Sequence, residues 1–142
     1  TRKEAAEYLR NRSRTYLFSN SLDTAVTGAS LFLIDYLKSH PEYRARLWEN
    51  TKLFRELMKK NGFTVPDAQH PITPIMLGDE KKAVEMAKAL FDEGIYVIGF
   101  AYPVVPKGKA RIRVQVSAAH TKQDIETAVQ KFTLIGKKFG VV

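Results

Sequence analysis

The sequence predicts an α+β fold, in which helices pack on one face of a small, mainly antiparallel sheet. Two observations support this prediction. From residue 71 onward the apolar patterns follow the order strand, helix, strand, strand, helix, and two further helical patterns precede them. The 142 residues, 44% hydrophobic and 27% charged, suffice for one compact domain with a core and a short additional segment.

The first third of the chain is predicted to be mostly helical. Residues 3 to 11 form a short polar helix, and residues 12 to 21 form an extended linker. Ser21 is the expected N-cap of a helix that runs to about Lys38. Its apolar residues recur at helical spacing in a wide stripe, so this helix is expected to be well buried. The stripe consists of Ala25, Ala29, Phe32, Leu33, Tyr36 and Leu37.

A second, amphipathic helix begins at Pro41 and ends near Gly62, because proline suits the first turn of a helix and glycine its end. Residues 71 to 77 contain two prolines and predict an edge strand. Asp79 caps the next helix, which ends at Gly94. Its inward side is predicted to consist of Val84, Ala87, Leu90 and Phe91.

The remaining sequence predicts two strands and a helix. Residues 95 to 100 form a short buried strand, and residues 102 to 109, with two prolines and a glycine, form a rigid loop. Residues 110 to 117 then alternate as a strand, with Ile112, Val114 and Val116 on one face and Arg111, Arg113 and Gln115 on the other. Thr121 and Asp124 resemble a capping box that opens the last helix.

Composition excludes several classes of protein. The absence of cysteine excludes disulfide scaffolds and cysteine chemistry. The net charge of +8 is compatible with nucleic acid, an anionic membrane or a phosphate-rich small molecule. No nucleic-acid-binding motif accompanies the charge, and no apolar run is long enough to span a membrane, so neither is an expected partner. The sequence begins at Thr1, within charged helical sequence, so we expect a fragment of a longer protein.

Few residues are candidates for catalysis. His40, His70 and His120 lie at element boundaries without metal-ligand spacing, and each is expected to serve a turn or a cap. Neither a phosphate-binding glycine loop nor a nucleophile motif is present. No metal site and no catalytic residue is therefore predicted within this chain.

One candidate binding site is Ser19, in the segment Ser19-Asn20-Ser21 before the helix predicted to end at Lys38. Hydroxyl groups and free backbone N–H groups at the positive end of a helix dipole form a natural site for an anion or a phosphate. The simpler interpretation is that Ser21 caps the helix.

The second candidate is Arg113, which the strand alternation places on the face opposite Ile112 and Val114, just after the rigid loop. A guanidinium held by a strand can bind a carboxylate through two parallel hydrogen bonds. A solvated arginine on an exposed strand face is an equally good interpretation of this residue.

Three stretches resemble the α-oxoamine synthase family of pyridoxal-phosphate enzymes. They are residues 14–22 (RTYLFSNSL), 70–79 (HPITPIMLGD) and, most specifically, 102–121 (YPVVPKGKARIRVQVSAAHT). The similarity extends over nearly the whole chain. It implies a fold-type-I pyridoxal-phosphate-dependent transferase that acts as a homodimer, with residues 1–38 as the end of the large domain and its connecting helix, and residues 39–142 as the C-terminal small domain.

The resemblance also implies a reaction. Family members join glycine or another amino acid to an acyl-CoA, or catalyse the reverse cleavage. The best match within the family interconverts 2-amino-3-ketobutyrate and CoA with glycine and acetyl-CoA, in threonine degradation. Other members make 8-amino-7-oxononanoate or 5-aminolevulinate, and these stay alternatives. The implied location is the cytoplasm, or the mitochondrion in a eukaryote.

Two site residues follow from the resemblance. Arg113 matches the arginine that holds the amino-acid carboxylate, and Ser19 matches the hydroxyl residue that reaches the cofactor phosphate of the other subunit. The family's Schiff-base lysine is absent, because no Ser or Thr here has a Lys three positions later. This chain alone is thus expected to be inactive. An independent basic module that binds an anionic partner is the alternative from another functional class.

Overall fold

The computed structural model describes residues 1–142, which divide into two compact units, Thr1–His40 and Pro41–Val142. The first unit consists of helices α1 (Lys3–Arg12), α2 (Arg14–Leu17) and α3 (Thr24–Ser39). The extended linker predicted over residues 12 to 21 is therefore wrong in part. Ser13 leaves the helical region, and the chain turns directly into α2 before it extends from residue 20.

Helix α3 begins later than predicted. Asp23 is its N-cap, and one carboxylate oxygen accepts hydrogen bonds from the backbone N–H groups of Ala25 and Val26 at 2.8 and 3.3 Å. The prediction that Ser21 caps this helix is wrong. A carboxylate satisfies the free N–H groups and also carries the charge that the helix dipole favours, which a serine hydroxyl does not.

The predicted burial of α3 is also wrong, since none of its residues is buried. Helical spacing identifies which side of a helix is apolar, but burial requires a second apolar surface, and residues 1–40 form no core. The large apolar side chains that α3 leaves exposed are Val26, Leu31, Phe32, Leu33, Ile34 and Leu37.

The second unit is an α+β domain with the predicted order of elements. Helix α4 (Pro41–Lys60) is followed by β1 (Ile72–Gly78), α5 (Glu80–Asp92), β2 (Ile98–Phe100), β3 (Ala110–Gln115) and α6 (Lys122–Lys138). The three strands form one antiparallel sheet in the order β1-β3-β2, so that β3 is central. No helix of the chain is long and apolar enough to cross a membrane.

The pairing register divides the sheet into two faces. Ile75 lies opposite Ile112, and both are fully buried against the helices. Arg113 lies opposite Pro74 on β1 and Ile98 on β2, so these residues share the other face. We call this second face the outer face.

One hydrophobic core joins the sheet to three helices. Its largest fully buried side chains include Phe54 and Met58 of α4, Met86 and Leu90 of α5, and Phe132 of α6. The rings of Phe54 and Phe132 meet edge to face, with centroids 6.2 Å apart. The buried residues of α6 are Ile125, Val129, Phe132, Ile135 and Gly136.

The predicted inward side of α5 is wrong in part: Ala87 and Leu90 are buried as predicted, but Val84 and Phe91 are not. Val84 and Phe91 are 55% and 60% exposed, whereas Ala83 and Met86 are fully buried. The reason is the close approach of β2. A Cβ atom built on Gly99 would lie 2.4 Å from the carbonyl oxygen of Ala83, so the strand backbone lies directly against the helix at this residue.

We predict that Gly99→Ala destabilises the second unit by about 1–3 kcal/mol, because the backbone atoms of Ala83 and Val84 leave no space for a methyl group. Gly99 has no positive φ, so the effect would report space and not backbone strain. Urea unfolding followed by the fluorescence of Trp48, the single tryptophan, measures it. Gly28→Ala is the control, because its Cβ meets nothing within 4 Å. Equal midpoints for the two variants would contradict the prediction.

Candidate functional site

The alternation predicted for residues 110 to 117 is confirmed. In β3, Ala110 and Ile112 are fully buried, whereas Arg113 and Gln115 are exposed. The central strand therefore contributes to the core with one face and presents a guanidinium and an amide on the other. Because β3 is hydrogen-bonded on both sides, the backbone that carries Arg113 is held more firmly than that of an edge strand.

The guanidinium of Arg113 lies over the ring of Phe100, with Cζ 4.3 Å from the ring centroid. This is a cation–π contact between diagonal neighbours on adjacent strands, since Ile98 is the residue directly opposite Arg113. Arg113 forms no hydrogen bond or ion pair within the chain. All its N–H donors are consequently available to a ligand.

Arg55 shows what an arginine with a structural role looks like in the same unit. Its Nε donates to the hydroxyl of Thr73 at 3.0 Å, and its Nη1 donates to the carbonyl of Ala68 at 2.7 Å. Its Nη2 donates to the carbonyls of His70 and Ile72. Those bonds fix the segment that leads into β1 and leave Arg55 little capacity for a ligand.

Arg113 lies in an open cleft of about 480 Å³. The cleft is lined by the start of β2 and the residues before it, by the end of β3 and the turn that follows, and by one residue of α4. These residues are Leu47, Tyr96, Val97, Ile98, Arg113, Gln115, Val116, Ser117, Ala118 and His120. No acidic residue lines it, so a bound anion would meet the Arg113 charge without a competing carboxylate.

The wall of the cleft after β3 is held by α4. The side-chain amide of Asn50 donates to the carbonyls of Ser117 and His120 at 3.0 and 2.8 Å. Within the turn, the backbone N–H of Ser117 donates to Nδ1 of His120 at 3.2 Å. The turn is therefore held by α4 through Asn50 and by a hydrogen bond within the turn itself.

The capping box predicted at the start of α6 is confirmed. The backbone N–H and the hydroxyl of Thr121 both donate to the Asp124 carboxylate at 2.8 Å. The hydrogen bond from the backbone N–H of Thr121 is the main cause that lowers the pKa of the Asp124 carboxyl below its ordinary value. The hydrogen bond from the Thr121 hydroxyl lowers this pKa further. The Asp124 carboxylate is therefore charged at neutral pH, and its negative charge stabilises the N-terminus of α6.

Ser19 does not lie where the sequence suggested. It is exposed in the segment between α2 and α3, several residues before Asp23, which occupies the N-terminus of α3. The helix-dipole argument for an anion site at Ser19 is therefore wrong. Its side chain forms no hydrogen bond within the chain and borders a shallow hollow lined by Leu9, Ser13, Thr15, Tyr16 and Ser19.

The histidines serve turns, as predicted. Nδ1 of His70 accepts from the backbone N–H of Ile72 at 3.2 Å, as Nδ1 of His120 does from Ser117. The ring of His40 stacks on that of Tyr36, with centroids 3.9 Å apart. No group of three or more His, Cys, Asp or Glu side chains could hold a metal ion.

The arrangement can bind and orient an anion. A preorganised guanidinium on a fixed strand is well suited to a carboxylate, which accepts two parallel hydrogen bonds. The sequence did not indicate Phe100 or Asn50 as part of this site. Their contribution depends on strand register and on the packing of α4, neither of which has a signal in residue spacing.

A sequence model of a known protein family, described as aminotransferase class I and II, matches residues 1–132. The match covers nearly the whole chain, in agreement with the family resemblance of residues 14–22, 70–79 and 102–121. It also spans both compact units.

The chain is similar to several curated proteins. It is 55% identical over 141 residues to the 2-amino-3-ketobutyrate coenzyme A ligase of Escherichia coli K12, covering 99% of this chain and 35% of that protein. It is 48% identical over 134 residues to the mitochondrial protein of that name from Mus musculus, covering 94% and 32%. It is also 48% identical over 141 residues to the 8-amino-7-oxononanoate synthase of Thermosipho melanesiensis, covering 99% and 36%. The chain thus spans about a third of the length of these relatives.

Solved structures share the fold. The serine palmitoyltransferase of S. paucimobilis with bound PLP and myriocin superposes with a TM-score of 0.83 at 32% identity, covering 96% of this chain and 35% of that one. The 8-amino-7-oxononanoate synthase of Francisella tularensis gives a TM-score of 0.75 at 26% identity, covering 100% and 41%. These neighbours are fold-type-I pyridoxal-phosphate enzymes, and the predicted fold class is confirmed.

Proposed function

The chain belongs to the aminotransferase class I and II family, and from that membership we propose that it is the C-terminal part of a pyridoxal-phosphate-dependent acyltransferase. The reaction interconverts 2-amino-3-ketobutyrate and CoA with glycine and acetyl-CoA. The observation that carries the proposal is the 55% identity over 99% of the chain to the 2-amino-3-ketobutyrate coenzyme A ligase of Escherichia coli. In this proposal residues 1–38 end the large domain and residues 39–142 form the small domain.

Arg113 is the residue that holds the substrate carboxylate in this proposal. Its guanidinium has no partner for its N–H donors in the chain, and the cleft around it has no acidic side chain. Two parallel hydrogen bonds would fix the carboxylate plane and hence the orientation of the bonds at the α-carbon.

Ser19 is the residue of this chain that contacts the cofactor, through its phosphate. Its exposed hydroxyl has no partner in the chain and can donate to a phosphate oxygen. In the proposed homodimer the contact is made to the cofactor of the other subunit. When bound, pyridoxal phosphate supplies an electron sink for the α-carbon of the substrate. No residue of this chain has a catalytic role in the proposal, because no lysine has the Schiff-base spacing.

The location and the remaining partners are part of the same proposal. The enzyme acts in the cytoplasm, or in the mitochondrion if the source is eukaryotic, and the name of the mouse relative includes that organelle. CoA is bound as a substrate.

Synthesis of 8-amino-7-oxononanoate is the second candidate function, because a synthase of that name is 48% identical over 99% of the chain. A standalone anion-binding module has no comparable support, since the family match spans residues 1–132.

The acyl-donor preference of the complete protein that contains these residues distinguishes the candidates. We expect release of free CoA thiol from acetyl-CoA and glycine, with activity falling as the acyl chain lengthens or as alanine or serine replaces glycine. Preference for a long acyl donor or for another amino acid would contradict the proposed reaction while leaving the enzyme class intact. Release of CoA in the absence of any amino acid would contradict both the proposed reaction and the enzyme class.

We predict that Arg113→Lys lowers kcat/KM for glycine by about ten-fold or more, because lysine keeps the charge but loses the fork of donors. Steady-state kinetics of the complete enzyme measure the effect. Arg111→Lys is the matched control: the same change, two residues earlier on the same face, outside the cleft. Equal kinetic losses in the two variants would contradict the assignment of the carboxylate to Arg113.

We predict that Ser19→Ala raises the dissociation constant of pyridoxal phosphate by about ten-fold or more, since a hydrogen bond to a charged group contributes about 1.5–3 kcal/mol. Turnover at saturating cofactor should change less. Equilibrium dialysis of the complete enzyme gives the constant, and Ser21→Ala, an exposed serine two residues later, is the control. An unchanged constant for Ser19→Ala would exclude Ser19 from the cofactor site.

A further inference from the structure

We propose that Phe100 is a positioning residue, which holds the Arg113 guanidinium in the orientation that receives the substrate carboxylate. This inference rests on the proposed function, in which Arg113 binds that carboxylate. Its basis is the placement of the Phe100 ring, whose centroid lies 4.3 Å from Cζ of Arg113 and which is the partner of the otherwise unbonded guanidinium.

The Phe100 ring limits the conformational freedom of the Arg113 side chain. An exposed arginine with no partner samples many rotamers, and binding a carboxylate would require one of them to be selected. A ring face stacked on the guanidinium restricts this sampling before the substrate arrives. The contact also leaves the N–H edges free, because the ring attracts the flat face of the guanidinium and not its donors.

The partner of the Arg113 guanidinium is an uncharged aromatic ring. An acidic side chain at residue 100 could also hold the guanidinium, but it would occupy the donors and neutralise the charge that the substrate needs. Phenylalanine has neither a charge nor a hydrogen-bonding group. It can fix Arg113 without competing with a carboxylate.

The strand that carries Phe100 is held on two sides, by α5 and by β3. Gly99 lies directly against the backbone of α5, and β2 pairs with β3 from Ile98 to Phe100. Phe100 is partly buried, so its ring has protein contacts as well as the guanidinium. The backbone that carries the Phe100 ring is therefore held by the sheet and by α5, independently of the substrate.

The test is Phe100→Leu in the complete enzyme with pyridoxal phosphate bound. We expect kcat/KM for glycine to fall by about three- to ten-fold, within the range of one cation–π contact, with KM for acetyl-CoA unchanged. Phe100→Trp, which retains an aromatic face, should recover most of the loss. Phe139→Leu, the same change at another partly buried phenylalanine that does not line the cleft, should leave glycine kinetics unchanged.

Coupling to Arg113 separates positioning from a general structural effect. The glycine dissociation constant, measured from the cofactor absorbance, should rise for Phe100→Leu in the wild-type background and remain unchanged by that substitution in Arg113→Ala. Equal effects in both backgrounds, or a loss in Phe100→Trp as large as in Phe100→Leu, would overturn the inference. If Arg113→Ala itself leaves glycine binding intact, the carboxylate assignment fails. If Arg113→Ala weakens glycine binding and Phe100→Leu does not, the positioning role alone fails.

Discussion

The central position of β3 is the constraint on which the site depends. This strand is paired on both sides, with β1 and with β2, so its side chains must alternate strictly between the core and the outer face. Ile112 is fully buried among the helices, and that burial determines where Arg113 points. A shift of one residue in register would bury the guanidinium and expose the isoleucine. Such a shift would remove apolar burial and also place a charge in the core, so the core itself stabilises the orientation of Arg113.

Arg55 and Arg113, both in the second unit, illustrate how surroundings determine the role of a residue. Arg55 is enclosed by carbonyl and hydroxyl oxygens, and its donors are used to fix the segment before β1. Arg113 has a ring beneath its face and no acceptor at its edges. Both side chains are ordered by contacts, but Arg113 alone of the two has its donors available. This difference supports a binding role for Arg113 more directly than its charge does.

Much of the second unit could be predicted from residue patterns. The alternation of residues 110 to 117, the capping box at Thr121 and the proline at the start of α4 each depend on local geometry, and local geometry is what sequence periodicity records. The side of α5 that faces the sheet could not be predicted. It depends on the backbone contact between Gly99 and Ala83, which are distant in sequence. The contact between Phe100 and Arg113 could not be predicted either, because it arises from strand register.

Less of the first unit could be predicted from residue patterns. Helices α1 and α3 lie where the sequence predicts helices, but α2 lies where an extended linker was predicted. The apolar pattern of α3 also does not specify what packs against it, and α3 has no buried residue. The N-cap of α3 could not be predicted, because Ser21 and Asp23 are both good N-cap residues. Which of them caps the helix depends on backbone angles, and residue spacing does not indicate these. The predicted role of Ser19 now depends on the family resemblance and its free hydroxyl, without support from the helix dipole.

The most direct measurement of the central claim is a crystal structure of the complete enzyme with pyridoxal phosphate and glycine. We expect both carboxylate oxygens of glycine to lie within about 2.7–2.9 Å of Arg113 guanidinium nitrogens, the distance range of charge-assisted hydrogen bonds. We also expect the guanidinium to remain stacked on Phe100. A glycine carboxylate bound by other residues, with Arg113 directed to solvent, would contradict the proposed role of Arg113.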